Sequence, residues 1–353
     1  MSSFKETLER KTKEAEEIIK AYLPKEEGSQ KTVMEAINYS VKVGGKRLRP
    51  ILMREAFTEL GGQGELIRPF MAALEMIHTY SLIHDDLEAM DNDEYRRGQK
   101  TAHVVYGEAM AILAGDGLLN LAFETAANAF LLAPGDTKAE KAMLILGKKA
   151  GIYGMVGGQV ADIEAEEAKD PLTMEQLLFI HENKTAALIQ SALMIGAALA
   201  GAGQKQIDEM ERIGYLVGVA YQIEDDILDE IFSMLDECRA EGTDSRKLVR
   251  SFFSALCRYI RKSGYLIRTL SRLSSVRFIE KALLRFREYV LLDMSRMEGS
   301  PARQQHGAYM MAGSIGGVVG ILHKWTLENC EDSPESVARL LTDVWIGSFS
   351  SFS

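Results

Sequence analysis

Between Ser81 and Gly98 the chain reads SLIHDDLEAMDNDEYRRG, which sets four aspartates, Asp85, Asp86, Asp91 and Asp93, within nine residues at the end of an apolar run. Carboxylates this close repel one another unless cations neutralise them, and ligation by oxygen alone suits Mg2+. Asp85 to Asp91 is about 600° of helical turn, so a straight helix would point the two side chains ~120° apart. The helix therefore has to loosen between Glu88 and Asp91 if both are to reach one metal cluster. The plainer reading is a solvated acidic helix end; His84 and the apolar run before it favour a half-buried site instead. A second group, Asp225, Asp226 and Asp229, has another geometry. Asp225 and Asp229 stand at i and i+4, about 40° apart around the axis and ~6 Å along it, so they share a face. Mg2+ normally keeps waters and substrate phosphates in its shell, so two such aspartate groups imply a diphosphate ligand.

Positive charge is supplied separately. Gly44-Gly45-Lys46-Arg47-Leu48-Arg49-Pro50 sets three cations after a Gly-Gly turn, and Arg96-Arg97 adds two beyond the first aspartate group. Guanidinium forks match phosphate oxygens, and an acidic, metal-loaded wall beside a basic one suits two anionic substrates. On its own GGKRLRP also reads as a nucleic-acid patch or a solvated face; beside two aspartate groups, diphosphate binding explains it better. His78 lies seven residues before Asp85, on the same helical face; a lone histidine is more often structural. Neither a P-loop nor G-x-G-x-x-G occurs, so a Walker ATPase or a dinucleotide enzyme is not supported.

The elements that must position these groups are helical. Apolar residues recur at helical spacing over 4–22, 65–88, 107–131, 138–167, 173–201 and 204–230, and again over 245–263, 275–297, 303–327 and 333–347. The 7 prolines fall at breaks such as Leu23-Pro24 and Ala133-Pro134-Gly135, and sustained strand alternation is absent. The expected fold class is all-α. A composition of 46% hydrophobic and 26% charged residues fits a folded, soluble chain, and a net charge of −10 disfavours nucleic acid and anionic membrane surfaces. Two uncharged runs, the part of Thr185–Gln206 before its lysine (Lys205) and Gly307–Leu322, are too polar or too short to read as membrane spans. Three cysteines in no Cys-x-x-Cys pair exclude a disulfide scaffold and a zinc ribbon. They point to a reducing compartment, and with no apolar leader at the N-terminus the expected location is the cytoplasm.

One seam divides the chain near residue 230. Residues 1–230 hold 16 Lys and 8 Arg with a net charge of −14, whereas the remainder holds 4 Lys and 13 Arg with a net charge of +4. All cysteines, both tryptophans and 17 of the 23 serines lie beyond it. Such a swap of lysine for arginine reads as a fusion of two segments, with domains at 1–230 and 231–353.

GGKRLRP, IHTYSLIHDDLEAMDNDEYRRG, GGQVADIEAE, HENKTAALIQ and YQIEDDILD occur in this order. Together they closely resemble the all-trans polyprenyl diphosphate synthases of the farnesyl/geranylgeranyl branch, over residues 1–229. The resemblance implies an isoprenoid-synthase-type helical bundle around a central cleft. In it up to three Mg2+ ions, bridging the substrate diphosphate, ionise an allylic diphosphate (dimethylallyl or geranyl), and the cation alkylates isopentenyl diphosphate. It implies Asp85, Asp91 and Asp225 as metal ligands, supported by Asp86 and Asp229. Lys46, Arg49, His78 and Arg97 would hold isopentenyl diphosphate; Arg96, Lys184 and Gln222 would hold the allylic diphosphate, with Thr185 beside the cation. Tyr80 and Ser81, one turn before Asp85, would form the floor that stops the growing chain, with farnesyl diphosphate as product. Two departures stand out: Glu88 replaces the usual proline, and Glu230-Ile-Phe-Ser replaces a glycine- and lysine-rich loop.

Residues 231–347 resemble, more weakly, the C-terminal ligand-binding and dimerisation domain of tetracycline-repressor-type regulators, through ALCRYIRKSGYLIRTL and HGAYMMAGSIGGVVGILHKWTLENCEDSPESVARLL. The regulator's helix-turn-helix is absent, so no nucleic-acid partner is implied; a homodimer is. The competing expectation is an inactive or weak diphosphate-binding fusion whose C-terminal half senses a small molecule.

Overall fold

The computed structural model describes residues 4–168, 172–240, 244–262, 281–286, 315–328 and 330–347. The chain divides between Gln222 and Ile223 into two compact units. Among the described residues the fold is all-α apart from one two-stranded ribbon.

The first unit holds α1 (Phe4–Ala21), α2 (Lys31–Lys42), α3 (Leu48–Glu59), α4 (Arg68–Asp85), the ribbon β1 (Tyr95–Arg96) and β2 (Gln99–Lys100), α5 (Ala102–Tyr106), α6 (Glu108–Leu132), α7 (Thr137–Ala150), α8 (Met155–Glu166), α9 (Met174–Ile180), a π-helical turn at His181–Ala186, and α10 (Ala187–Ala200). The helix α11 (Gln204–Ala240) begins in it. At the centre is α4, with Phe70, Met71, Leu74, Met76 and Ile77 all within 1% of full burial. Large side chains buried this completely contribute about 1.5–3 kcal/mol each, which fixes the helix that ends in Asp85. The buried stripe of α6, Ala111, Ala114, Leu118, Ala122, Ala126 and Ala129, is mostly alanine at helical spacing. Small side chains let α6 approach α4 closely, and Thr125 donates to the Met76 sulfur at 3.8 Å across that contact.

The helical periodicity over 138–167 is interrupted: α7 stops at Ala150 and α8 starts at Met155, across Gly151-Ile-Tyr-Gly154. Gly154 lies so near the Lys149 carbonyl that a Cβ there would collide with it, so the chain reverses where a continuous helix was expected. The segment 173–201 is continuous but changes pitch at His181–Ala186. Helices α2 and α3 fall in a region for which no periodicity was predicted.

In the second unit α12 (Ser245–Lys262), helical residues 281–286 and 315–327, and the helix Pro334–Gly347 surround an aromatic core. Phe252 stacks on Phe286 at 3.9 Å between centroids, and Phe253 and Trp345 meet edge to face at 6.0 Å. The rest of the helices expected over 275–297 and 303–327 lies outside the described residues. No described helix is long and apolar enough to cross a membrane. Cys238, Cys257 and Cys330 are all free thiols, and burial pushes the Cys257 thiol up to about 12.

Candidate active site

A cavity of about 320 Å3 opens beside the C-terminal half of α4, within the range of ligand pockets, about 300–1,000 Å3. Its polar lining includes Arg49, His78, Ser81, His84, Asp85, Lys184 and Thr185, and Tyr80, Met155, Val156, Val160, Ile163 and Leu188 are among its apolar walls. Seven of the residues singled out in the sequence thus meet in one place: Arg49, His78, Tyr80, Ser81, Asp85, Lys184 and Thr185. Asp85 is the last residue of α4, and beyond it the chain leaves helical pitch, as the six-residue spacing requires. The amide of Asp91 donates to the Asp85 carbonyl at 2.9 Å, folding the acidic loop back over the helix end. Burial pushes the Asp85 carboxyl up to about 6; Lys184 and Arg96 oppose the shift, and the charges of Asp91 and Asp86 add to it. A part-buried carboxyl that neighbouring carboxylates disfavour as an anion is the donor a divalent cation relieves, and the all-oxygen set fits Mg2+. Among the described residues no three His, Cys, Asp or Glu side chains converge as a complete cage. Mg2+ characteristically leaves such positions to water and substrate oxygens.

Lys184 and Thr185 sit in the π-helical turn between α9 and α10. A π turn inserts one extra residue into the helical ladder and re-aims the side chains it carries. The Lys184 ammonium pairs with Asp162 of α8, and Gly158 of α8 lies against the Lys184 backbone with no room for a Cβ. Asp162 was not singled out, although it lies within the GGQVADIEAE stretch. Thr185 donates to Gln222 Oε1 at 2.9 Å, which adds one more of the expected residues, Gln222.

A second, smaller cavity of about 40 Å3 lies on the other side of His78 and is lined by Arg47, Glu75, Asp86, Arg96 and Arg97 among others. Arg97 and Gly98 form the two-residue turn of the β1–β2 ribbon, with φ of 53° and 75°. Positive φ at both central positions matches the strand twist, and Gly98 adopts it at no steric cost. The ribbon was not expected in an all-helical reading. It carries Arg96 to Asp86, where Nε donates to Oδ1 at 2.6 Å, and brings the Arg97 guanidinium against Gly45. Burial, then Arg49, Arg97, Arg47 and Arg96, hold the His78 pKa well below its ordinary value. His78 is therefore a neutral imidazole in a field of four guanidiniums, a place that favours an anion. Arg47 faces inward, pairing with buried Glu75 at 2.8 Å and donating to the Val41 carbonyl at 2.7 Å. Of the three GGKRLRP cations it is a strut. Lys46 is exposed and lines neither cavity.

Asp225 and Asp229 share one face of α11 in the second unit, at the i, i+4 spacing read from the sequence. Asp225 pairs with Lys281 and Asp229 with Arg285, the latter at 2.6 Å.

A polyprenyl synthetase family profile matches residues 30–253, running past residue 229, where the resemblance was expected to end, into α12. The geranylgeranyl diphosphate synthase of Cyanophora paradoxa is 46% identical over 220 residues, 62% of this chain and 73% of that protein. The farnesyl diphosphate synthase of Geobacillus stearothermophilus is 43% identical over 232 residues, 64% of this chain and 75% of its own. Among solved structures, an FPP/GFPP synthase from Zymomonas mobilis in apo form superposes with a TM-score of 0.61 at 31% identity, over 71% of this chain and 91% of that one. A geranyltransferase from Helicobacter pylori, solved with magnesium and isoprenyl diphosphate, gives 0.58 at 33% identity, over 65% of this chain and 77% of that one. With the aspartate-ended α4, the arginine field and the apolar-walled cavity in place, the chain belongs to the polyprenyl synthetase family.

Proposed function

We propose that the protein is a prenyltransferase that condenses isopentenyl diphosphate with an allylic diphosphate, dimethylallyl or geranyl, to give farnesyl diphosphate. The observation that carries this reading is the cavity itself, with Asp85 and Lys184 at its polar end and Met155, Val156, Val160, Ile163 and Leu188 along its walls. Breaking an allylic C–O bond needs the negative charge of the departing diphosphate to be stabilised, and the cation left behind needs dry, apolar surroundings. Lys184, steadied by Asp162, and Arg96, steadied by Asp86, would hold the allylic diphosphate with Gln222. Thr185, fixed by Gln222, would sit beside the cation. Arg49, Arg97 and neutral His78, with the exposed Lys46, would hold isopentenyl diphosphate. Asp85 and Asp91, supported by Asp86, would hold Mg2+, as would Asp225 and Asp229; when bound, the ions neutralise the leaving diphosphate. No protein nucleophile is needed, because released diphosphate takes the proton.

Tyr80 and Ser81 would set product length: Tyr80 is 7% exposed, lines the cavity and meets His84 edge to face at 5.8 Å. The second unit, with its separate aromatic core, is read as the regulator-like ligand-binding and dimerisation domain. A homodimer is part of the same reading, and α6 leaves Ile112 and Leu113 exposed near its start and Leu131 and Leu132 near its end. Incubation of the purified chain with geranyl diphosphate and labelled isopentenyl diphosphate tests the activity. Mg2+-dependent incorporation of label into a C15 product supports it, and no incorporation at any Mg2+ concentration rejects it.

A further inference from the structure

The carboxylates of the second aspartate motif are already in ion pairs within their own unit. Asp225 and Asp229 stand one turn apart on α11, and Lys281 and Arg285 stand one turn apart on the helical segment 281–286. The two pairs form in parallel register, Lys281 with Asp225 and Arg285 with Asp229. The segment is held by other residues: Ala282, Leu283 and Phe286 are fully buried, and Phe286 stacks on Phe252. The two cations stay near the surface, with side chains 33% and 44% exposed, and the Arg285 guanidinium rests over the Phe232 ring at 4.8 Å. Long flexible side chains on an anchored backbone can swing into water while the segment remains docked.

We propose that Lys281 and Arg285 are built-in counter-ions of the second aspartate motif, so that a divalent cation binds Asp225 and Asp229 only by displacing them. This rests on the reading of those aspartates as Mg2+-holding carboxylates. Being part of the same chain, the two cations are present at high effective concentration whatever the metal level. The motif would then fill only when metal is plentiful or arrives with a diphosphate that adds further ligands. Release of the aspartates would free two cations beside the incoming anion.

The test is Mn2+ binding to the full chain, read from the electron paramagnetic resonance signal of free Mn2+, with no substrate present. Lys281→Gln with Arg285→Gln removes both charges and keeps most of each stem. The expected result is about 3- to 10-fold tighter Mn2+ binding, the range set by losing two exposed ion pairs. That gain should vanish when Asp225→Asn and Asp229→Asn are added. Unchanged affinity in the folded double variant overturns the proposal, as does a gain that survives loss of both aspartates. Failure of the double variant to fold, read by circular dichroism, also overturns it, since the pairs would then be structural requirements. Turnover plays no part in the readout. A chain that binds Mn2+ as expected but makes no prenyl product would refute the proposed activity and leave the counter-ion role standing.

Discussion

The amide of Asp91 reaches back 2.9 Å to the carbonyl of Asp85, six residues earlier, and so returns the acidic loop to the end of α4. On a regular helix the two carboxylates would diverge by ~120°. The reversal places the charge of Asp91 near Asp85, where burial already disfavours the anion.

From this follows a pH dependence of the metal-free protein. Burial first, then the charge of Asp91 against the pull of Lys184 and Arg96, hold the Asp85 carboxyl up at about 6. Unfolded aspartate titrates near ~3.9, so the folded state binds this proton more tightly. The contribution of Asp85 to stability is therefore intact below about pH 4 and is lost as pH rises to about 6, leaving a cost of roughly 1–3 kcal/mol at neutral pH. Asp85→Asn should stabilise the protein by about that amount at pH 7 in the presence of a chelator, and by little at pH 4. Urea denaturation of both proteins at the two pH values measures it; equal effects at both would contradict the assigned cause.

Arg47 and Lys46 are neighbours with opposite tasks. Glu75→Ala leaves the Arg47 guanidinium, 4% exposed, with only the more distant Glu16 carboxylate at 3.8 Å, and should cost up to about 3–5 kcal/mol in chemical denaturation. Lys46→Ala should leave stability within ~0.5 kcal/mol. In steady-state kinetics it should raise the KM for isopentenyl diphosphate more than that for the allylic partner. Equal effects on both KM values would remove Lys46 from the homoallylic side.

Tyr80→Ala should lengthen the product to C20 and beyond by removing the ring from the cavity wall. If the ring only packs, stability falls by about 3–5 kcal/mol, as for large aromatic truncations, and the product stays C15. Chromatography of the dephosphorylated alcohols distinguishes the outcomes.

The helical class and the long elements were legible because apolar residues recur at helical spacing through α1, α4, α6, α10 and α11. Even the loosening after Asp85 followed from counting residues against helical pitch. Other features were not legible because they depend on partners far away in sequence. Arg47 reads as a site cation until Glu75, 28 residues on, claims it. Asp225 reads as an open ligand until Lys281, 56 residues on, meets it. The ribbon carrying Arg96 had a local signal, the Arg97-Gly98 turn, but its strands are two residues long and leave no alternation to read. The break between α7 and α8 had one too, in Gly151 and Gly154, and apolar periodicity on both sides masked it.

The most direct measurement of the central claim is labelled isopentenyl diphosphate incorporation by wild type, Asp85→Ala and Asp225→Ala, each with Mg2+ and with a chelator, alongside circular dichroism. The account predicts Mg2+-dependent incorporation by the wild type and its loss in both variants with helical content unchanged. Near-normal turnover in either folded variant, or wild-type turnover that persists in chelator, would contradict it.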